Sequence, residues 1–299
     1  MKRKIIKQGI ATLTISLPAK WTKQFKLNAG DEVELSEQGK NLVVSTGQTA
    51  RPVRETIDLN QAKGMPRLVT TMKYIKGCDE INAKICNREQ AQQVQERVRA
   101  LQGLEIVEQT KNELLIKDIT EQANVQLDPL IRRVFHMLNT LGQESLTAFK
   151  HKETDVSYLE DLEQSINRFT HLCLRTINKQ GMDNISKTTA TYTICFFLEA
   201  IADEFKEVLQ FTRINKLQLS NASLEIYSDL LYHLKQFEEL FYDFNLEKAN
   251  TMAKTYDKIL HKIKTNLTKK TPKDTVVLMH FKNILEFLIW AMNQKLVSG

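Results

Sequence analysis

The chain has 299 residues, of which 42% are hydrophobic and 26% are charged, and these ordinary values exclude a disordered or fibrous protein. Its length predicts two or three domains, and the small numbers of Gly (10) and Pro (5) leave room for long helices. The net charge of +6 is too mild to indicate a polyanion partner by itself.

Cysteine usage and hydropathy predict a cytoplasmic protein. The four cysteines include no C-x-x-C pair, so we expect reduced thiols rather than a zinc knuckle or a redox motif. The basic N-terminus is not followed by the apolar segment of a signal peptide. The most apolar run, Thr191 to Ile201, is cut by Glu199 and Asp203, so we expect no insertion into a membrane.

The N-terminal stretch 2–45 has a strand-rich pattern. Residues 3–17 alternate between polar and apolar side chains, which predicts a strand with a bend at Gly9. Residues 19–27 predict a short amphipathic helix. A second hairpin is expected from strands at 32–36 and 41–45. Because a unit of this size buries little surface, we expect it to need a partner, most simply a second copy of itself.

The same stretch concentrates the positive charge of the chain. All of its early basic residues precede the first acid, Asp31; they are Lys2, Arg3, Lys4, Lys7, Lys20, Lys23 and Lys26. Lysine and arginine in such a block suit contacts with the phosphates of a nucleic acid. The alternative is a solvated strand edge that its lysines protect from aggregation.

Residues 46–52 predict a linker, and residues 53–120 predict a small α+β module without a charged cleft motif. Its predicted elements alternate between strand and helix. They are strand 53–59, helix 61–75 closed by Gly77, strand 79–85, helix 88–101 capped by Asn87, and strands 104–109 and 113–119.

From residue 124 to the end the pattern is helical. The predicted helices run from Asp128 to 150, from Thr154 to before Gly181, from a cap at Asp183 or Asn184 to 213, from Ser220 or Asn221 to 245, from 246 to 268, and from Thr271-Pro272 to 295. Short turns predict antiparallel packing, and the repeated turn pattern suggests two three-helix halves.

Two carboxylates on the predicted third helix of this part are candidate ligands. Glu199 and Asp203 are four residues apart and share a helix face, as do Glu163 and His171 with Asn167 on the preceding helix. Facing each other, Glu199, Asp203, Glu163 and His171 would hold a metal ion, divalent or iron-type, or a positively charged partner group. The alternative is a solvated acidic stripe.

The motifs R-K-I-I-K-Q-G, T-I-S-L-P-x-K-W and K-L-N-A-G-D-E-V-E-L resemble the AbrB/MazE/SpoVT family over residues 3–45. The matching positions are Arg3, Gly9, Ser16, Leu17, Pro18, Leu27, Gly30, Asp31 and Val33. This resemblance implies a swapped-hairpin, intertwined homodimer that binds double-stranded DNA. It also implies that DNA is contacted by Arg3, Lys4 and Lys7. Lys20 is a further DNA-contacting residue by this resemblance, although its position corresponds less directly to those of the family.

The helical part is similar to the PhoU family of phosphate-uptake regulators, through the segment L-E-A-I-A-D at 198–203. That family is built of two three-helix repeats with E-x-x-x-D motifs that bind metal clusters. This chain departs from the pattern at Asn167, where an acid is usual, and again in its second half, near 247–251 and 286–290. The combination of both resemblances is typical of an archaeal type of regulator.

The sequence therefore predicts a multi-domain α+β protein. A swapped-hairpin β domain (1–46) would be followed by an α+β module (53–120) and a six-helix, all-α bundle of two three-helix repeats (124–299). The expected function is a homodimeric, DNA-binding transcriptional regulator of phosphate uptake, with the helices as the sensor or the part that docks a partner.

Two other functions stay open. One is an adaptor that dimerises but does not bind DNA, and docks on a transporter, a kinase or another signalling protein. The other is an antitoxin, although antitoxins resemble the chain only over its N-terminal domain and carry short tails. We do not expect an enzyme, because the chain has no phosphate loop, no H-E-x-x-H and no E-x-x-H pair.

Overall fold

The computed structural model describes residues 1–38, 41–46, 52–62, 64–120, 125–152, 155–182, 184–268 and 272–298. The chain divides into two compact units, Met1–Arg51 and Pro52–Gly299. The second unit contains both the α+β module and the helical bundle. Most of the predicted linker, residues 47–51, lies outside the described residues.

The first unit contains two antiparallel hairpins around a short helix. Its elements are β1 (Ile6–Gln8), β2 (Thr12–Thr14), α1 (Ala19–Phe25), β3 (Glu34–Gln38) and β4 (Asn41–Ser45). Gly9 has φ +74° in the turn between β1 and β2, which confirms the bend. The predicted strand over 3–17 is too long, because residues 1–5 have no regular structure. Arg3 and Lys4 therefore precede the strand instead of lying on it.

The second unit begins with a four-stranded sheet in the order β5-β6-β8-β7. Its elements are β5 (Arg54–Asp58), α2 (Pro66–Lys76), β6 (Glu80–Lys84), α3 (Arg88–Ala100), β7 (Leu104–Gln109) and β8 (Glu113–Asp118). Only β5 and β6 are parallel, and helix α2 makes the crossover between them. Alternate residues of the central strands, such as Ile81, Leu114 and Ile116, are fully buried, so one face of the sheet supports α2 and α3.

The start of α2 differs from the prediction. The helix predicted from Gln61 begins at Pro66, with Met65 as its N-cap. A proline lacks a backbone donor and disfavours helical conformation in the residue before it. Pro66 therefore suits the first helical position and prevents the helix from extending towards Gly64. Gly77, with φ +95°, ends the helix as predicted.

The remaining helices form the bundle. They are α4 (Leu127–His151), α5 (Ser157–Gln180), α6 (Ile185–Ile214), α7 (Asn221–Tyr242), α8 (Leu246–Leu267) and α9 (Pro272–Ser298). Asn184 caps α6 and Ser220 caps α7 through side-chain acceptors. The predicted caps Asp183 and Thr271, and Thr154, the predicted start of the second helix, lie outside the described residues.

The predicted cap at Asp128 is wrong. Helix α4 begins one residue earlier, at Leu127, and its N-cap residue Gln126 makes no side-chain capping bond. Asp128 instead lies in the first turn, where its Oδ2 atom accepts a hydrogen bond from Arg132 Nε at 2.8 Å. A carboxylate in this position still interacts favourably with the positive end of the helix dipole.

The bundle consists of two three-helix halves, as predicted. Within each half, α4–α6 and α7–α9, all three helices contact one another. The halves meet through the antiparallel pair α6–α9, the most extensive helix contact, and through α4–α7. In the second contact, a Cβ atom at Gly142 would lie 2.4 Å from Leu231 Cδ2. Glycine therefore allows α4 and α7 to approach closely.

One described helix is long and apolar enough to cross a membrane, by length and composition only. It covers Lys273–Ser298 in α9 and is not the segment 191–201 that the sequence singled out. Its residues Phe281, Leu285 and Leu288 are fully buried against the other helices. A core helix has this composition for that reason.

Candidate functional site

The predicted DNA-binding residues are all accessible in the first unit. They are Lys2, Arg3, Lys4, Lys7, Lys20 and Lys23, and each is exposed. Within the described ranges, none of these six has an ion-pair partner. Lys20 and Lys23 are three residues apart on α1 and share one of its faces. Lys7 lies on β1, opposite Leu13 of β2.

The G-D turn after α1 has a structural role. Lys26 ends the helix at φ +53°, and Gly30 follows at φ +98°. The Oδ2 atom of Asp31 accepts a hydrogen bond from the backbone N–H of Asn28 at 2.7 Å. Gly30 and Asp31 therefore close the loop that leads from the basic helix to the second hairpin.

The second hairpin has an apolar face that a single chain leaves uncovered. Leu35 lies opposite Val44 in the register, and Val33 and Leu42 fall on the same face by strand alternation. Leu35 and Leu42 are 62% and 56% exposed. Among the described residues of the first unit, no side chain is buried. This unit lacks a core of its own, and a second surface must cover it.

The four predicted metal ligands separate into two pairs in the bundle. Lys206 Nζ on α6 lies 2.9 Å from Glu163 Oε1 and 2.8 Å from Asp203 Oδ1. Burial raises the pKa of Glu163. Burial opposes protonation of Lys206, but hydrogen bonds to Asp203 and Glu163 outweigh it and raise the pKa of the lysine. An ammonium group thus occupies the position between these two carboxylates.

The second pair joins the bundle to the α+β module. His171 Nε2 lies 2.9 Å from Glu199 Oε1, and Arg97 Nη2 lies 3.2 Å from His171 Nδ1. Arg97 also donates through Nε to the hydroxyl of Thr71 on α2. Because a guanidinium can only donate, Nδ1 of His171 accepts and Nε2 carries the proton that it donates to Glu199.

These contacts do not support the predicted metal site. Asn167 donates to Glu163 and does not add a carboxylate. Within the part of the chain that the structure describes, no group of three or more His, Cys, Asp and Glu side chains could hold a metal ion. Each candidate carboxylate already has a nitrogen partner. For Glu163 and Asp203, the structure favours the predicted alternative, in which the carboxylates bind a positively charged group instead of a metal ion.

Two cationic side chains, Lys206 and Arg97, contact the predicted metal ligands, and the sequence predicts neither contact. Lys206 follows Asp203 by three residues, and this helical spacing is a signal that was present in the sequence. Arg97 lies 74 residues before His171. No local spacing links the two, and only the packing of α3 near α5 brings them together.

A scan against protein-family models matches residues 6–58 to the family described as antidote-toxin recognition MazE, bacterial antitoxin. The match runs from β1 to β5. Searches of curated proteins and of solved structures found no significant match. The similarity to the PhoU family therefore stays a prediction. Residues 6–58 resemble a MazE/AbrB-type domain, and this supports self-association and a regulatory role of the DNA-binding or antidote type.

Proposed function

We propose that the protein is a transcriptional regulator that binds double-stranded DNA as a homodimer through its basic N-terminal unit. It is a cytoplasmic protein without enzymatic activity. The helical bundle acts as the sensor or as the part that docks a partner. The resemblance of L-E-A-I-A-D and of the two three-helix halves to the PhoU family supports phosphate uptake as the regulated process.

One observation supports this function above the others. The first unit combines exposed cations, which have no ion-pair partner among its described residues, with an apolar hairpin face that the described residues of this unit do not cover. A second copy that covers the face around Leu35 and Leu42 would double the number of cations in one particle. Because each neutralised phosphate releases counterions, the affinity for DNA then depends steeply on salt.

The test is a titration of a mixed-sequence DNA duplex over a series of salt concentrations, with wild type and with Arg3→Ala/Lys4→Ala/Lys7→Ala. The slope of log K against log salt is about −0.9 for each phosphate contacted. We expect the variant to bind more weakly and its slope to be shallower by roughly 3 for each protomer.

The matched control removes three exposed lysines from the second unit, Lys111→Ala/Lys150→Ala/Lys254→Ala, which have no ion-pair partner among the residues that the structure describes. It changes the net charge of the chain by the same amount. Equal affinities and slopes for the N-terminal variant and wild type would refute DNA contact by these residues. Equal losses in both variants would show that only the total charge matters.

A second candidate function is the adaptor that does not bind DNA. It is favoured by an aromatic cluster on α6 and α9, in which Phe197 and Phe287 stack with ring centroids 6.0 Å apart. Beside them, Phe196 and Trp290 are 54% and 45% exposed, and exposed aromatic side chains are typical of protein interfaces. A pull-down with and without nuclease separates the two functions, because partners held through DNA are lost after digestion.

The name of the matched family also suggests an antidote role. In that case the protein would bind and neutralise a toxic protein partner. Co-expression offers a direct comparison, since an antitoxin forms a stable complex with its toxin in the absence of DNA.

A further inference from the structure

The second unit contains a polar cleft of about 540 Å³ between the α+β module and the bundle. Helices α2 and α3 form one wall, and α5 and α6 form the other. The charged side chains that line it are Arg67, Arg97, Arg168, Glu96 and Glu199, and the polar ones are Thr71, Gln164, Asn167 and His171. Its volume falls in the range of pockets that bind small molecules, about 300–1,000 Å³.

The three arginines of this cleft differ in what they bind. Arg67 forms an ion pair with Glu96. Among the described residues, Arg97 donates to Thr71 and to His171, but to no carboxylate. Burial lowers the pKa of Arg97, although the charge of Glu199 opposes the shift. A guanidinium has five N–H donors, so Arg97 retains donors for a ligand.

Arg168 supplies an additional charge at the mouth of the cleft. It is exposed on α5, and within the described residues it has no ion-pair partner. Of the two carboxylates of the cleft, Glu96 forms the ion pair with Arg67, and Glu199, on the same wall as Arg168, is hydrogen-bonded to His171. The cleft therefore contains three guanidinium groups and two carboxylates. Among the described residues, Arg97 and Arg168 form no ion pair with an acid.

Asn167 adds an acceptor to the same wall. Its amide group donates to Glu163, while its Oδ1 atom is buried and has no hydrogen-bond partner among the described residues. A buried acceptor without a donor costs about 1–3 kcal/mol. A hydroxyl or amine of a bound molecule is the group that would satisfy it.

We infer that this cleft binds a small metabolite that carries an oxyanion, either phosphate or carboxylate, together with a hydroxyl group. Arg97 and Arg168 bind the oxyanion, and Asn167 accepts a hydrogen bond from the hydroxyl. Planar guanidinium groups suit both oxyanions, because they bind two oxygen atoms at once. The site lies wholly in the second unit, so the inference does not depend on DNA binding.

The test is calorimetric titration of the full chain with two probes, glycerol 3-phosphate and malate. The first carries a phosphate and the second carboxylates, and both carry hydroxyl groups. We expect saturable binding of at least one probe, which identifies the oxyanion. Propyl phosphate or succinate, which lack the hydroxyl, should bind more weakly than the matching probe, and glycerol should not bind.

Three variants test the residues. Arg168→Gln removes an exposed charge and should weaken binding about tenfold or more, because a hydrogen bond to a charged group contributes that much. Gln164→Glu adds a negative charge to the same cleft and should also weaken binding. Arg99→Gln, on the same helix as Arg97 but not lining the cleft, should bind as wild type does.

Two results would overturn the inference. One is the absence of saturable binding of both probes to the wild-type protein at millimolar concentration. The other is binding that Arg168→Gln and Gln164→Glu leave unchanged, or that Arg99→Gln weakens to the same degree. Equal binding of a probe and its hydroxyl-free analogue would refute the role of Asn167.

Discussion

Arg175 on α5, whose side chain is fully buried, connects the bundle to the α+β module through hydrogen bonds. Its Nη1 atom donates to the carbonyl oxygens of Tyr74 and Cys78 at 2.8 and 2.9 Å. Its Nη2 atom lies 2.7 Å from Asp118 Oδ2 and 3.3 Å from Asp79 Oδ1. The side chain of Asp118 is only 4% exposed, so this carboxylate depends on the arginine.

Replacing this arginine should therefore destabilise the second unit strongly. Arg175→Met leaves Asp118 buried without its cation and removes a donor from the carbonyl oxygen of Cys78, whereas that of Tyr74 still accepts from the N–H of Gly77. We expect the free energy of unfolding to fall by about 3–5 kcal/mol, measured by urea unfolding. Arg168→Met, an exposed position on the same helix, should change it by less than about 0.5 kcal/mol. Equal losses would contradict the connecting role.

A buried histidine should make stability depend on pH. His233 on α7 is fully buried, and this burial lowers its pKa from 6.5 to about 4. Between these two pH values the unfolded state binds the proton that the folded state excludes. Stability is therefore complete above about pH 6.5 and is lost as the pH falls towards 4, by up to roughly 3 kcal/mol.

The comparison of His233→Phe with wild type in urea unfolding between about pH 4 and 6.5 tests this dependence. The variant cannot bind the proton, so its stability should change less steeply with pH. His261→Phe alters an exposed histidine and should retain the wild-type dependence. An unchanged slope in His233→Phe would assign the effect to other groups.

At the scale of elements, the sequence predicts a feature well where the signal is local. The caps at Asn87 and Asn184 and the glycine end of α2 are examples, because each depends on a few neighbouring residues. The sequence predicts the start of α2 too early. The apolar periodicity before Pro66 extends the predicted helix towards Gln61, whereas the proline itself begins the helix. The predicted metal site is not supported, and the contact of Arg97 with His171 is not predicted, because Arg97 reaches His171 only through tertiary packing.

The cap of α3 offers a test at this scale. The Oδ1 atom of Asn87 accepts a hydrogen bond from the backbone N–H of Gln90 at 2.8 Å. Asn87→Ala leaves that donor without its partner and should lower the free energy of unfolding by about 1 kcal/mol. Asn87→Asp keeps an acceptor in place and should be close to wild type in the same urea experiment. An unchanged free energy of unfolding in Asn87→Ala would mean that solvent accepts the hydrogen bond in place of the cap.

For the whole molecule, the apolar face of β3 and β4 makes a prediction about assembly. A homodimer would cover Leu35 and Leu42, and Leu35→Glu/Leu42→Glu places charges on that face. We expect the variant to sediment as a monomer and to bind DNA more weakly, with fewer phosphate contacts for each particle. Ile214→Glu/Leu246→Glu changes two exposed apolar residues of the bundle and should sediment as wild type does. A dimeric Leu35→Glu/Leu42→Glu variant would exclude this face as the interface.

The close approach of α4 and α7 at Gly142 constrains how this sequence can evolve. A methyl group at position 142 would lie 2.4 Å from Leu231 Cδ2 of the other half, so Leu231 would have to move. A larger residue at 142 is therefore accommodated most easily where the residue at 231 is smaller. Among related sequences, these two positions should therefore vary together, although 89 residues separate them along the chain.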